Sequence, residues 1–465
     1  MINDNQNELR EQFVSFDIRR TMKIIIAGAG EVGTHLAKLL SKENLDIVLI
    51  DTDIEKLRWL DLNYNLMTIA GSPTSLKILK QAGINEADLF IAVMPFETRN
   101  IVACQFAKKL GTRKTVARVD NYEYMLPENK AYFKETGVDE LIYPEMLAAE
   151  EIVTALSHNW VRNWFELCNG ELILIGAKIR ENAKILNQKL SELNKFHLLY
   201  HIAAIKRKDR TIIPRGSDEI QVGDIVYFTT TPGHIQDIQQ LTGKKEIDVH
   251  KVVIMGGSRI AIRLAHILPE SMKMKIIEID KEKCYKLANT IPEITIINGD
   301  GRDTEFLKEE GIKDTDAFVA LTDSAETNIL ACLSAKRFGA VKTVAEVENL
   351  SLIPTAERLD IGSIINKKLL TASRIFQLLL DEDSSNVKCL AMSDAEVAEL
   401  IVKEDAPITH KPIKDLKLPR DITLGGLIRN GKAMIVNGNT QIQANDHVMV
   451  FCLDTVIHKL GKLFG

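Results

Sequence analysis

Ile24-Ile25-Ile26-Ala27-Gly28-Ala29-Gly30-Glu31-Val32-Gly33, followed after a helical stretch by Ile47-Val48-Leu49-Ile50-Asp51, decides how the rest of this chain is read. A short apolar run enters a glycine turn, a helix leaves it, and a second apolar run ends in an acid. That order is the fingerprint of a dinucleotide-binding βαβ unit. Gly28 permits the tight turn, Gly30 lets backbone approach a pyrophosphate, and Gly33 lets helix and strand pack closely. The helix N-terminus offers N–H groups and a partial positive charge to phosphates. Asp51, 18 residues beyond Gly33, stands where an acid accepts the hydroxyls of an adenosine ribose. An acid there repels a 2′-phosphate, which favours NAD over NADP.

The 465 residues are enough for three or four domains. Apolar residues make up 45 % and charged residues 26 %, and the net charge is −5 with both signs interleaved. That balance describes a solvated globular surface and argues against a nucleic-acid partner. No apolar run approaches the ~18 residues that span a bilayer. Residues 1–21 are polar and lack an apolar signal core, so they read as a tail, with Met22 an alternative start just before the first strand. The six cysteines (Cys104, Cys168, Cys284, Cys332, Cys389, Cys452) form no CxxC pair. They read as small buried residues in a reducing, cytoplasmic compartment.

The chain is one unit written twice. A shift of 228 takes Gly28 to Gly256, Asn100–Cys104 to Asn328–Cys332, and Lys114–Ala117 to Lys342–Ala345. Towards the end the shift shrinks to 222, taking Gly216 to Gly438 and Asp224 to Asp446. In each copy, apolar runs alternate first with helical text. The first copy predicts strands at Lys23–Ala27, Asp46–Asp51, Leu66–Ala70, Leu89–Val93 and Thr115–Val119, apolar throughout as doubly covered parallel strands are. Helices are predicted at Asn100–Leu110 and Pro144–Ser157. A β-rich module follows, with strands at Leu172–Ile179, Tyr200–Lys206, Thr211–Pro214 and Ile225–Thr230 and a helix at Lys184–Leu193. The expected class is α/β: tandem Rossmann-like parallel sheets, each followed by a small α+β module. The expected segments are 22–160 and 161–245, then 246–384, with its extra helix at Lys367–Leu380, and 385–465. Asn430-Gly431 predicts a hairpin turn in the last.

The two glycine turns differ. The second reads Gly256-Gly257-Ser258-Arg259-Ile260-Ala261. Ser258 replaces the glycine that admits pyrophosphate, and Ala261 the packing glycine. Its acid is Glu278 or Asp280, because the 228 shift puts Ile279 opposite Asp51. Ligands of open α/β sheets bind beyond the carboxyl ends of the strands, so Met94-Pro95 border the first crevice. Arg118 ends the fifth strand, where it reaches a phosphate or a surface carboxylate. Its counterpart is Glu346, and Ser72 corresponds to Asp300. The first site is the stronger of two unequal ones.

Catalytic groups are missing. A dehydrogenase sets a histidine or lysine against the nicotinamide. The ten histidines here, among them His35, His158, His197, His201, His234 and His250, sit in unrelated contexts. No Gly-x-Ser-x-Gly elbow, Walker A motif or metal-ligand spacing occurs. Binding without turnover fits better than catalysis; an NAD-dependent oxidoreductase is the alternative.

A glycine-turn domain, a small module and then the whole again resembles the TrkA family, the peripheral subunits of Trk potassium-uptake systems. These carry two domains of the regulator-of-K⁺-conductance (RCK) type. The resemblance covers Met22–Gly465 and rests on Lys23–Gly33, Val102-Ala103-Cys104-Gln105, Ala117-Arg118-Val119 and Gly223-Asp224. It implies a cytoplasmic subunit with no enzymatic activity that binds NAD(H) or adenine nucleotides (ATP/ADP). It also implies gating of an integral-membrane potassium transporter subunit (TrkH/TrkG-like) on the inner face of the plasma membrane, by a homotetrameric ring. Regulation of a different cation channel or efflux system is the neighbouring alternative. By the same resemblance the nucleotide contacts fall on Gly28, Ala29, Gly30, Glu31, Val32, Asp51, Met94, Pro95 and Arg118. In the second copy they fall on Gly256, Gly257, Ser258, Arg259, Ile260 and Glu278.

Overall fold

The structure is a computed structural model describing residues 21–41, 45–193, 199–208, 210–380, 388–392, 395–416, 418–453 and 461–464. The tail expected over 1–21 lies, except for Thr21, outside the described residues, as do His197 and Asp209. The chain divides into two compact units, one ending at Ile142 and the other running Tyr143–Gly465.

The first unit is a parallel sheet in the order 3-2-1-4-5-6. Its first five strands are Lys23–Ala27, Asp46–Asp51, Met67–Ala70, Leu89–Ala92 and Lys114–Arg118. The sixth, Glu140–Ile142, was not expected. Three residues are too few to show a period, and it forms only by pairing with Val116–Arg118. Ile24, Ile25, Ile26, Leu49 and Ile50 are wholly buried because helices cover both faces. Each such side chain contributes about 1.5–3 kcal/mol relative to exposure. The order reverses between the first and fourth strands, which opens the crevice at their carboxyl ends.

The second unit holds a sheet of the same order, built from Lys251–Met255, Lys273–Glu278, Thr295–Asn298, Ala317–Ala320, Lys342–Glu346 and Ser363–Ile365. It also holds both small modules, each a five-stranded antiparallel sheet. Helix Pro144–Ser157, which the sequence assigns to the 22–160 segment, belongs to this unit. Its Ala148, Ala149, Ile152 and Leu156 bury against Ile260 and Leu264 in the core of the second parallel sheet.

In the first small module, strand Asn163–Leu167 adds to those the sequence predicts, and the helix expected over Lys184–Leu193 is only one turn, Leu190–Leu193. Ile185 is fully buried and Asn187 takes φ 57°, a left-handed geometry that stops a helix. Asn430 and Gly431 both have positive φ and close the predicted hairpin between Ile422–Arg429 and Lys432–Ile435. The two modules share one core: Leu172, Leu174, Ala203 and Tyr227 meet Val397, Ile435, Met449 and Phe451. His201 Nε2 lies 3.0 Å from Thr423 Oγ1, its own counterpart by the 222 shift, so the modules face each other across a pseudo-twofold axis. Each module is braced alike. Buried Asp224 takes Arg207 through two bonds of 2.9 and 2.8 Å, and buried Asp446 takes Arg429 at 2.8 and 2.7 Å.

Candidate functional site

The first crevice is built by backbone before side chains. Gly28 has φ +112°, a geometry other residues rarely adopt, and its N–H donates to the Ile50 carbonyl at 2.8 Å. A Cβ on Gly33 would overlap the Gly28 carbonyl oxygen, so the helix could not sit against the turn. Gly30 is different. Its φ of −70° suits any residue, it is exposed, and a Cβ there would meet nothing within 4 Å. The protein's own packing makes no demand for glycine at this position. Gly30 is the N-cap of helix Glu31–Leu40 and supplies no side-chain cap, so the N-terminal N–H groups open towards the crevice.

Asp51 stands beside this turn. Its Oδ2 accepts the Ala29 N–H at 2.5 Å and its Oδ1 the Asp53 N–H at 2.9 Å. These bonds orient the carboxylate along the rim while leaving lone pairs for further donors. Glu31 is exposed and Val32 half-buried on the first helical turn. Met94 is buried, and Pro95, which is exposed, has no N–H to offer a ligand. Arg118 pairs with Asp120 at 2.8 Å, which is the carboxylate alternative among its two readings.

A residue the sequence did not single out holds these parts together. Asn100, buried on helix Glu97–Lys109, accepts the Met94 N–H at 2.8 Å. It donates to the carbonyls of Met94 at 3.0 Å and Arg118 at 2.8 Å. Asn328 repeats this role, bonding Thr322 and the Glu346 carbonyl. The asparagine therefore fixes the loop after the fourth strand to the end of the fifth. Its recurrence in both copies was the available signal.

The second crevice keeps the frame and changes the chemistry. Gly256 has φ +100°, and its N–H bonds the Ile277 carbonyl at 2.9 Å, as Gly28 does with Ile50. Glu278 thus takes the place of Asp51, because one residue fewer separates turn and strand. It accepts the Gly257 N–H at 2.8 Å, the Asp280 N–H at 3.0 Å and Lys283 Nζ at 2.9 Å. Burial pushes its pKa up, but those two N–H groups and the ammonium outweigh burial and hold it below the usual carboxylate range. Asp280, the other candidate, caps helix Lys281–Thr290 as Asp53 caps Ile54–Asn63.

Ser258 has the backbone of Gly30 but caps its own helix, its Oγ accepting the Ala261 N–H at 3.4 Å. At the next residue, Arg259 pairs at 2.9 Å with Glu145, a buried carboxylate from helix Pro144–Ser157. Ile260 is buried in the core. Glu346 faces Lys367 at 2.9 Å; burial raises its pKa against the pull of that lysine. What remains is a cleft of about 310 Å³ lined by Gly256, Glu278, Thr322 and an Asp300–Arg302 pair. Cys104 and Cys332 are buried, each donating to a strand carbonyl at 3.4 Å, and among the described residues no cluster of metal-ligating side chains occurs.

Comparison with known proteins agrees with this duplicated plan. The TrkA-N domain matches residues 24–144 and 252–367, and the TrkA-C domain matches 174–243 and 397–465. The Trk system potassium uptake protein TrkA of Halomonas elongata is 32 % identical over 439 residues, covering 93 % of this chain and 96 % of that protein. Its namesake in Haemophilus influenzae is 31 % identical over 451 residues, covering 95 % and 98 %. These relatives are named for a potassium uptake system and not for an enzymatic reaction. Among solved structures, the GsuK RCK domain superposes with a TM-score of 0.58 at 13 % identity, covering 99 % of each chain. The GsuK channel bound to NAD gives 0.56 at 14 % identity, covering 98 % of this chain and 82 % of that one. The chain therefore belongs to the TrkA family of potassium uptake proteins, with the RCK fold written twice.

Proposed function

We propose that this protein is a cytoplasmic regulatory subunit that binds NAD(H), or ADP or ATP, in its first crevice and gates potassium movement through a separate integral-membrane subunit. The observation that carries the reading is the contrast at the two helix N-termini. Gly30 leaves N–H groups and open space where its own fold needs no glycine. Ser258 and the Glu145–Arg259 pair occupy the same place in the second copy. Asp51, oriented by two N–H groups, suits an adenosine ribose. The NAD named with the GsuK channel supports the same ligand class.

The chain's residues bind and orient; none transfers hydride. A ligand regulates only through different affinities for two states. A coupling of about 1–3 kcal/mol changes affinity roughly 5–150-fold. The subunits form a homotetrameric ring, closed as symmetric assemblies usually are, and the ring transmits the bias to a TrkH/TrkG-like partner at the inner face of the plasma membrane. Among the described residues no helix is long and apolar enough to cross a membrane, so attachment runs through that partner. The test is calorimetric titration with NADH alongside incubation with candidate hydride acceptors. Saturable binding without turnover is expected, and turnover would move the protein to the oxidoreductases. Copurification from membranes with an integral potassium transporter is expected too, and an unrelated channel or efflux protein in its place would redirect the partner assignment.

A further inference from the structure

The first small module meets the second parallel sheet across a concentration of positive charge. The module contributes Arg162, Lys178 and Arg180. The sheet side contributes Lys336, from the last turn of helix Ala325–Phe338, and Asp360, which precedes strand Ser363–Ile365. Four cations converge on this one carboxylate. Oδ1 accepts from Lys178 at 2.9 Å and from Arg162; Oδ2 accepts from Lys336 at 2.9 Å and Arg180 at 3.1 Å. Lys336 also donates to the Asp360 carbonyl at 2.6 Å. Two further lysines feel the same field. Lys342 is buried and donates to the Val161 carbonyl at 3.0 Å, and Lys244 follows helix Ile235–Thr242. At the margin, Glu357 pairs with Lys206 at 2.8 Å, and Glu151 attracts Lys342. Acids are outnumbered by more than two to one.

The imbalance is visible in proton affinity. Burial first, then repulsion from Arg162, Arg180 and their neighbours, pushes Lys336 and Lys244 each down to about 8. Burial and the same charges push Lys342 down to about 7. Arg162, desolvated and facing Arg180, falls to about 10. Such a cluster needs more negative charge than Asp360 supplies.

We propose that the cluster is a binding site for a phosphate-type polyanion, with Arg180 and Lys336 as its outward-facing ligands, Lys244 adding charge beside them and Asp360 beneath. Arg180 is 51 % exposed and Lys336 35 %, so both present donors to solvent on the open side. Arginine matches phosphate geometry through paired N–H donors, and lysine adds point charge. Since Arg162, Lys178 and Arg180 come from the module, and Lys336 and Lys342 from the sheet side, a bound anion ties the two together. The site is independent of the nucleotide reading above and stands or falls separately.

Two sources share this chemistry, a free inorganic polyanion and the phosphate chain of a nucleotide. Full-length protein is titrated calorimetrically with inorganic pyrophosphate at constant ionic strength and pH 8, in two buffers of different ionisation enthalpy. Saturable binding is expected, with the two buffers separating the heat of proton movement from the heat of binding. The double variant Arg180→Gln/Lys244→Gln should bind at least roughly tenfold more weakly, for two lost charge-assisted contacts. Its melting temperature at low salt should hold or rise, since two mutually repelling charges are gone. ADP binding to an Asp51→Asn chain that the double substitution abolishes would assign the nucleotide as the source; binding of pyrophosphate without such ADP binding would assign the free ion. Pyrophosphate that fails to saturate, or binds the double variant equally well, overturns the proposal.

Discussion

Replacing Asp51 by asparagine tests the first crevice where it is most exposed to error. The carboxylate holds the N–H groups of Ala29 and Asp53, and in the proposed function it also offers lone pairs to a ribose. Asparagine keeps the shape but turns one acceptor into a donor. One of the two backbone N–H groups then faces an NH₂. Leaving such a donor unsatisfied costs about 1–3 kcal/mol, and partial exposure places Asp51 near the lower end. On the ligand side, one of two hydroxyl contacts to a charged acceptor is lost, about 1.5–3 kcal/mol, which weakens NADH roughly 10- to 150-fold. Calorimetry gives the affinity and thermal denaturation the stability. Glu278→Gln is the matched control, the same change at the same place in the second copy, and should leave NADH affinity within about twofold. An Asp51→Asn chain that binds NADH as tightly as the parent with an unchanged melting curve would refute the reasoning. So would an equal loss in both variants, because the two crevices would then be equivalent.

Gly30→Ser copies the second turn into the first; with φ at −70° and open space around it the fold should tolerate it, and NADH titration should show affinity falling roughly tenfold or more as the hydroxyl caps the helix. Asp224→Asn leaves part-exposed Arg207 against a buried amide and should destabilise by about 1–3 kcal/mol in chemical denaturation, with Asp446→Asn doing the same in the other module. Lys342, Lys336 and Lys244 titrate lower folded than unfolded, so the unfolded state binds more protons between about 7 and the ordinary lysine value of 10.5. Denaturation midpoints should therefore rise with pH through that window, less steeply in Lys342→Met. Burial lowers His201 to about 4 from 6.5, so stability should fall as pH drops from 6.5 towards 4, and His201→Gln should flatten that limb.

The glycine turn and the doubly buried strands were legible because both are local: a run of apolar residues and a turn dictate each other within a few positions. What sequence could not assign depends on pairing. The constant shift of 228 points at Ile279, and only the bond from the Gly256 N–H to Ile277 shows that Glu278 stands where Asp51 stands in the first copy. Glu145 reaches the second turn from a helix far upstream, so no spacing near Ser258 announces it. Asn100 and Asn328 looked like repeat markers, while their work is to join two strand ends. Lys184–Leu193 looks helical in the sequence, but Ile185 is committed to a sheet core and Asn187 turns the backbone over.

The pseudo-twofold pairing of the small modules has an evolutionary corollary. Two separate copies of such a module would meet only at a concentration set by expression, and any substitution would appear on both sides of the axis. A covalent link replaces that concentration by an effective one, often millimolar for short connections, so association no longer depends on abundance. It also frees the halves from identity: His201 meets Thr423, where a dimer of identical chains would set like against like. The same release from symmetry lets one crevice keep Gly30 while the other carries Ser258. Fusion thereby lets a single polypeptide hold two crevices of the same frame and different chemistry.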